Sequence, residues 1–290
     1  MAQERRMGNL KAVIIGSSSL LLIIIFVLIL KTGYSEKSIS RSAGDIPHSQ
    51  PHGAFRNGAE ITVGKKYLLG KFDPDLEDDF IEIESKYTKR SGQYLRKETY
   101  RAFIKMHEAA LQAGIQLTIV SATRSFYQQK NIWEGKWNGK MLVRGKNLAE
   151  TVSDHAERAK IILKFSSMPG TSRHHWGTDI DLNALENNYF ETELGKKIYA
   201  WLKENAFVYG FCQPYGPKNF SRPTGYEEEK WHWSYIPLAE SFLHQYIRNI
   251  SYDDLKGFEG WKTAQVLRVI ENYVLSINKD CKELSKSQET

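Results

Sequence analysis

Cysteine is scarce, with only Cys212 and Cys281 in 290 residues. Two cysteines build no disulfide scaffold, so the chain must fold on an apolar core. Whether they pair is left open: an oxidising compartment allows it, and a semi-buried Cys212 with Cys281 in a tail explains them equally. No repeat of the 20–50-residue kind and no low-complexity tract is present, which excludes solenoids and repeat arrays. Concentrated positive charge is missing too. The formal net charge is +6 and the pI about 9.0, but about half of the excess comes from Arg5, Arg6, Lys11 and Lys31, set against Glu4, near the N-terminus. The remainder is too small and scattered for a nucleic-acid-binding surface. No HExxH, GxSxG, Walker loop or CxxC pair occurs, so none of those chemistries competes for an active site.

What is present is an ordinary globular composition, 41% hydrophobic and 26% charged, in a chain of a length suited to one large domain with tails. Ala12–Leu30 carries no charged residue and approaches the roughly 20 apolar residues a spanning helix needs. With Arg5, Arg6 and Lys11 before it, the positive-inside rule keeps residues 1–11 cytoplasmic and sends the rest across the membrane. A cleaved signal peptide is the competing reading, but Gly33-Tyr34-Ser35 makes a poor small-x-small site. Residues 12–30 are therefore expected to be a retained transmembrane anchor, and 31–61 a polar tether. A globular domain is expected over 62–255, with 256–290 a C-terminal helix and tail.

Within the globular part, apolar spacing predicts helices over 98–114, 125–137, 148–165, 194–206, 237–250 and 261–277, and strands over 115–121, 178–182 and 231–236. Strands and helices are interspersed without a βαβ rhythm, which points to an α+β fold around a small sheet.

Two segments carry chemistry. Ser172–Leu182, SRHHWGTDIDL, packs two histidines and two carboxylates at a loop-to-strand junction. Glu227–Trp233, EEEKWHW, sets a glutamate three residues before a histidine. Catalytic zinc commonly takes three ligands from His, Asp and Glu and leaves a position for water, whose proton a nearby glutamate can accept. Alternation along a strand puts Asp179 and Asp181 on one side, so spacing alone does not choose between them. Glu227, Glu228 and Glu229 are likewise all candidates for the base.

At this point the residues resemble a known family. Ser172-x-His174-x-x-Gly177-x-x-x-Asp181, followed by Glu229-x-Trp231-His232, is similar to the pattern of the VanY-like D-alanyl-D-alanine carboxypeptidases of the M15 zinc metallopeptidases. The resemblance extends over about residues 67–250 and includes the SATRSFYQQ segment. It implies a Hedgehog/DD-peptidase-like fold with a small antiparallel sheet flanked by helices, and one Zn2+ held by His174, Asp181 and His232. It further implies Glu229 as general base, and Arg124 as the partner of a substrate carboxylate. Ser125, Gln128 and Ser172 are candidate substrate-binding residues beside it, although an N-cap and a helix-face position also describe the first two.

The chain departs from the family twice. Thr123 stands where the family has tyrosine, and Asp179 where it has alanine, which leaves Asp179 as a candidate partner for a ligand histidine. His175, next to the ligand, is the second choice for its place. Trp176, Trp231 and Trp233 are expected to pack the sheet. The function implied is hydrolysis of the terminal D-Ala-D-Ala bond of peptidoglycan stem peptides in the bacterial cell envelope, the membrane being reached through the N-terminal helix and no nucleic acid being involved. An endopeptidase of the same fold and a non-catalytic zinc-bearing wall-binding module are the alternatives.

Overall fold

The computed structural model describes residues 61–282, together with the backbone of two short strands before them. The expected anchor, 12–30, and most of the tether lie outside the described residues. Among the described residues, no helix is long and apolar enough to cross a membrane. The strands are β1 (Phe55–Arg56), β2 (Ala59–Glu60), β3 (Phe80–Glu82), β4 (Tyr94–Arg96), β5 (Ile119–Ser121), β6 (Asp179–Leu182), β7 (Phe211–Cys212) and β8 (His232–Tyr235). Helices of two turns or more are α1 (Lys97–Gln112), α2 (Phe126–Trp137), α3 (His155–Ile162), α4 (Glu193–Asn205) and α5 (Ile236–Asn249).

The site is positioned by a four-stranded antiparallel sheet of order β5-β6-β8-β7. Every residue of β6 and β8 is buried, so neither face of the central pair meets water. Its register sets Asp181 opposite His232 and Asp179 opposite Ser234. Residues directly opposite in an antiparallel pair share a face, their Cβ atoms roughly 5 Å apart. Among the described residues, two-stranded antiparallel pairs β1-β2 and β3-β4 complete the sheet content.

The helices follow their apolar spacing where nothing stronger competes. In α1, Tyr100, Phe103, Met106 and Ala110 are buried on one face, and the chain leaves through Gly114 at φ 73°. Ser125 caps α2 in a reciprocal capping box with Gln128, and Trp133 and Trp137 of that helix stack at 6.1 Å. Each large apolar side chain so buried stabilises the fold by roughly 1.5–3 kcal/mol relative to exposure.

Several expectations need correction. The single helix over 148–165 is broken: Leu148–Thr151 forms one turn, and α3 starts afresh where the Asp154 side chain accepts from Glu157 N. That cap satisfies an orphan amide locally and so outcompetes helix continuation. The helix over 261–277 is not continuous either. Thr263–Val266 is one turn, Arg268 takes φ 49°, and Ile270–Val274 forms a π turn. Phe55–Arg56 and Ala59–Glu60, expected in the tether, form the β1-β2 pair. Residues 256–282, in the stretch expected as helix and tail, join the same core through Phe258, Val269, Val274, Ile277 and Cys281. Cys212 and Cys281 form a disulfide with Cα atoms 5.6 Å apart across a sequence separation of 69, and Cys281 is buried. Closing a loop of that length constrains the unfolded chain by about 4 kcal/mol in the chain-entropy account.

Candidate metal centre

His174 lies in a single 3-10 turn, Arg173–Trp176, that ends at Gly177 in the left-handed region and leads straight into β6. The turn packs too tightly for any other residue there. A Cβ on Gly177 would lie 2.5 Å from Phe80 Cε1 and 2.9 Å from Arg96 Cγ. Gly177→Ala is expected to cost about 2 kcal/mol, from positive-φ strain and overpacking together. Urea unfolding of the chelator-treated variant measures it.

The ring nitrogens of the two histidines are divided between structure and site. His174 Nδ1 donates to the Ala122 carbonyl at 2.7 Å, so Nε2 keeps its lone pair and faces Asp181 Oδ1 at 3.3 Å. His232 donates through Nε2 to Asp179 Oδ2 at 2.8 Å. Its Nδ1 then faces Asp181 Oδ1 at 3.4 Å and Glu229 Oε2 at 3.1 Å. His174 Nε2 and Asp181 Oδ1 are buried without any hydrogen-bond partner, an arrangement that costs a fold free energy unless something else occupies those lone pairs.

A metal ion meets that requirement. The three donor atoms lie within 4.8 Å of one another. Ligand atoms about 2.0–2.1 Å from a tetrahedral zinc are separated by about 3.3 Å, which matches both distances to Asp181 Oδ1. Two imidazoles and one carboxylate form a donor set characteristic of catalytic zinc, with room for a further ligand.

The structure separates the two aspartates by function. Asp179 is saturated: it accepts from His232, from Arg173 Nε at 3.1 Å, from Thr178 Oγ1 at 2.7 Å and from Ser234 Oγ at 2.8 Å. Burial pushes its carboxyl up, but the Arg173 charge and the His232 hydrogen bond outweigh burial and hold it below the usual carboxylate range. It therefore orients His232 and has no lone pair left to offer. Burial likewise opposes the charge on His232, yet the Asp179 and Glu229 hydrogen bonds lift its pKa to about 9.

Glu229 is buried at the end of an irregular segment, its amide donating to Tyr215 O at 2.8 Å. Burial raises its pKa, with His232 acting in the opposite direction. The other two members of the acidic run point elsewhere. Glu227 pairs with Lys218 at 2.9 Å, and Glu228 accepts from Tyr199 at 3.3 Å.

Arg124 stands beside this cluster, its amide bonded to His174 O at 3.1 Å and its Nε buried without a partner. Burial is the largest influence on His174, Asp181 and Glu229; the Arg124 charge comes next for His174 and acts on the other two behind their histidine neighbours. Ser172 is buried with an unpartnered hydroxyl. His175 is spoken for at both nitrogens, donating from Nδ1 to Arg124 O and accepting from Gly170 N at Nε2, so it is not a ligand. Ser125 and Gln128 lie at the start of α2, directly after Arg124 in the chain. Ser125 Oγ and Gln128 Oε1 accept the two bonds that cap α2, and both residues flank an open groove of about 520 Å³ with Lys71, Phe72, Tyr94 and Tyr127. Trp176, Trp231 and Trp233 are core residues.

Lys136 and Tyr215, which are coupled to site residues, and Gln129, buried on the same helix as Lys136, lie outside the two motifs. Gln129, adjacent to Gln128, is buried, donates to Ser167 O at 2.8 Å and leaves its Oε1 unpartnered. Lys136 donates to Ser166 Oγ; burial and then the Arg124 charge depress its ammonium, while Glu229 acts the other way. Tyr215 packs its ring 4.8 Å from that of His232. Helix periodicity marks Gln129 as inward-facing, but nothing in a glutamine or lysine on α2 announces a metal site.

Comparison with known sequences gives the deciding observation: the sequence model of the VanY family, D-alanyl-D-alanine carboxypeptidase, matches residues 92–238. The chain belongs to the VanY family. It is similar to a provisionally named carboxypeptidase, YodJ, of Bacillus subtilis, with 33% identity over 184 residues, covering 60% of this chain and 58% of the relative. It is also similar to a D-alanyl-D-alanine carboxypeptidase of Enterococcus faecalis, 29% identical over 147 residues and 48% of each chain. The chain thus spans about half the length of the curated relatives it matches. Among solved structures, VanYB in complex with D-alanine-D-alanine shares 23% identity at a TM-score of 0.42, over 59% of this chain and 84% of that one. His174, Asp181, Glu229 and His232 all fall inside the segment that matches the VanY family.

Proposed function

We propose that this chain is a zinc-dependent D,D-carboxypeptidase that hydrolyses the terminal D-Ala-D-Ala bond of peptidoglycan stem peptides. The observation that carries the reading is the convergence of His174 Nε2, His232 Nδ1 and the unpartnered Asp181 Oδ1 around one buried point, with Glu229 Oε2 beside them. Membership of the VanY family supports the substrate class.

Zinc bound there would supply a Lewis acid for the scissile carbonyl and a water of lowered pKa. Glu229 takes the proton from the attacking water and returns it to the departing amine of the terminal residue. Burial, which raises its pKa, suits a carboxylate that must both accept and release a proton near neutral pH. Asp179 and Arg173 keep the His232 ring in one tautomer and one orientation. Arg124, a cation beside the cluster with a free N–H, pairs with the terminal carboxylate of the peptide; a planar guanidinium suits that group.

Arg124→Ala is expected to raise KM by about 10–100-fold, the value of a charge-assisted hydrogen bond of roughly 1.5–3 kcal/mol, with a smaller change in kcat. Initial rates over a range of peptide concentrations measure both.

The domain is proposed to work outside the cytoplasm, tethered by residues 12–30 in the cell envelope. The uncharged apolar run supports this, and so does the Cys212–Cys281 disulfide, a bond that persists in oxidising compartments. The test is incubation of the purified protein with a pentapeptide ending in D-Ala-D-Ala, with and without chelator. Release of one D-alanine, lost on chelation and restored by zinc, is the expected result. Cleavage confined to cross-linked sacculi would replace this reading with an endopeptidase, and zinc binding without turnover would replace it with a wall-binding module.

A further inference from the structure

Glu229 belongs to a stretch between β7 and β8 that forms no helix or strand. No ladder of backbone hydrogen bonds fixes its carboxylate, yet proton transfer demands placement to about half an ångström. The structure holds this stretch from outside: Asn187 bonds Glu228 O and Lys230 N on either side of Glu229, and the C-terminal segment Tyr273–Cys281 braces the rest.

The contacts run the length of the stretch. Asn278 bonds through its Nδ2 to Gln213 O and through its amide to Pro214 O, both at 2.8 Å. Gln213 in turn donates from Nε2 to the carbonyl of Glu229 itself at 3.0 Å and to Tyr215 O at 3.3 Å, while its Oε1 accepts from Tyr199 at 2.9 Å. Further along, Ser276 and Thr224 are bonded through their hydroxyls at 2.9 Å, and the Tyr273 and Tyr226 rings meet edge-on at 5.2 Å. Two glycines let the segments touch. A Cβ on Gly216 would lie 2.6 Å from Asn278 Nδ2, and one on Gly225 3.1 Å from Ser276. The Cys212–Cys281 disulfide closes the assembly, joining the last residue of β7 to the end of the segment. All of the segment lies beyond residues 92–238, the stretch that matches the VanY family.

We propose that the segment Tyr273–Cys281 is a disulfide-locked clasp that positions Glu229 through Asn278 and Gln213, and that turnover depends on the clasp while zinc binding does not. The inference rests on the reading of Glu229 as the base. The zinc donors sit in the 3-10 turn, β6 and β8, which the sheet register holds without the clasp. Asn278 and Gln213 are positioning residues, since neither touches the metal cluster.

The experiment uses the full zinc-loaded chain and a D-Ala-D-Ala pentapeptide, and reads zinc content, KM and kcat separately. Asn278→Ala, the double variant Cys212→Ser/Cys281→Ser, and the native protein treated with reductant are each expected to lose at least about 10-fold in kcat. Zinc stoichiometry and KM are expected to stay within about twofold. Reoxidation should restore the native protein, and reductant should leave the double variant unaffected. In a Glu229→Gln background, Asn278→Ala should bring no further loss, because groups that act as one unit are not additive. Unchanged kcat in Asn278→Ala and in the reduced protein, with Glu229→Gln inactive, overturns the clasp and leaves the base reading intact. Full activity of Glu229→Gln overturns both. Loss of zinc from the opened forms overturns the clasp as a device specific to Glu229, and Asn278→Ala gives that readout with the disulfide intact.

Discussion

Glu229→Gln is expected to lower kcat by about 10³-fold, within the range of general acid–base catalysis, with zinc content unchanged. The substitution preserves shape in a buried position but leaves an amide that accepts no proton. A loss of that size is about 4 kcal/mol of transition-state stabilisation. Because Oε2 faces His232 Nδ1 at 3.1 Å, glutamine can occupy the same space without displacing a ligand. Metal analysis of the purified variant, run beside steady-state kinetics, separates loss of the base from loss of the ion. A variant that is inactive because it has lost zinc would count against the assigned part.

The second large effect distinguishes the two aspartates. Asp179→Asn removes the counter-charge of Arg173, which is 1% exposed and ion-paired to Asp179 at 3.1 Å. Breaking a buried pair from one side costs about 3–5 kcal/mol. The variant also weakens the partner that orients His232, for which a loss of roughly 10–100-fold in metal affinity is typical. Asp181→Asn is expected to behave in the opposite order. It deletes a ligand, so zinc binding should collapse, whereas the chelator-treated protein should lose less stability than Asp179→Asn because Oδ1 of Asp181 accepts no hydrogen bond. Urea unfolding in chelator and zinc titration by calorimetry give the two rankings. If both variants rank the same way in both measurements, the division of roles between Asp179 and Asp181 is wrong.

Much of the candidate site was legible in the sequence because its parts are local. Ser172 to Asp181 and Glu229 to His232 are two short runs whose residue types and spacing can be read without the fold. The helices with clear apolar faces, α1 and α4, were legible for the same reason. Other features were not, for identifiable causes. The Asp154 cap breaks a helix that hydrophobic periodicity would continue. Positive φ at Arg268 turns a segment whose apolar residues otherwise read as one helix. Gln128 and Gln129 are neighbours of the same type, and the capping box claims the first while the second faces inward.

By itself, then, the sequence determined the α+β class, the donor types, their order, and Glu229 as the member of its acidic run set at family spacing from His232. Only the tertiary structure decided how those groups share the work. Strand alternation puts Asp179 and Asp181 on one side, and no local rule distinguishes them. The pairing of β6 with β8, between segments some 50 residues apart, sets Asp181 against His232, while Arg173 and Ser234 saturate Asp179. The disulfide and the clasp on the Glu229 stretch are of the same kind. Each is a contact between distant segments, and such contacts follow from packing of the whole chain, whereas helix and strand periodicity follows from neighbouring residues alone.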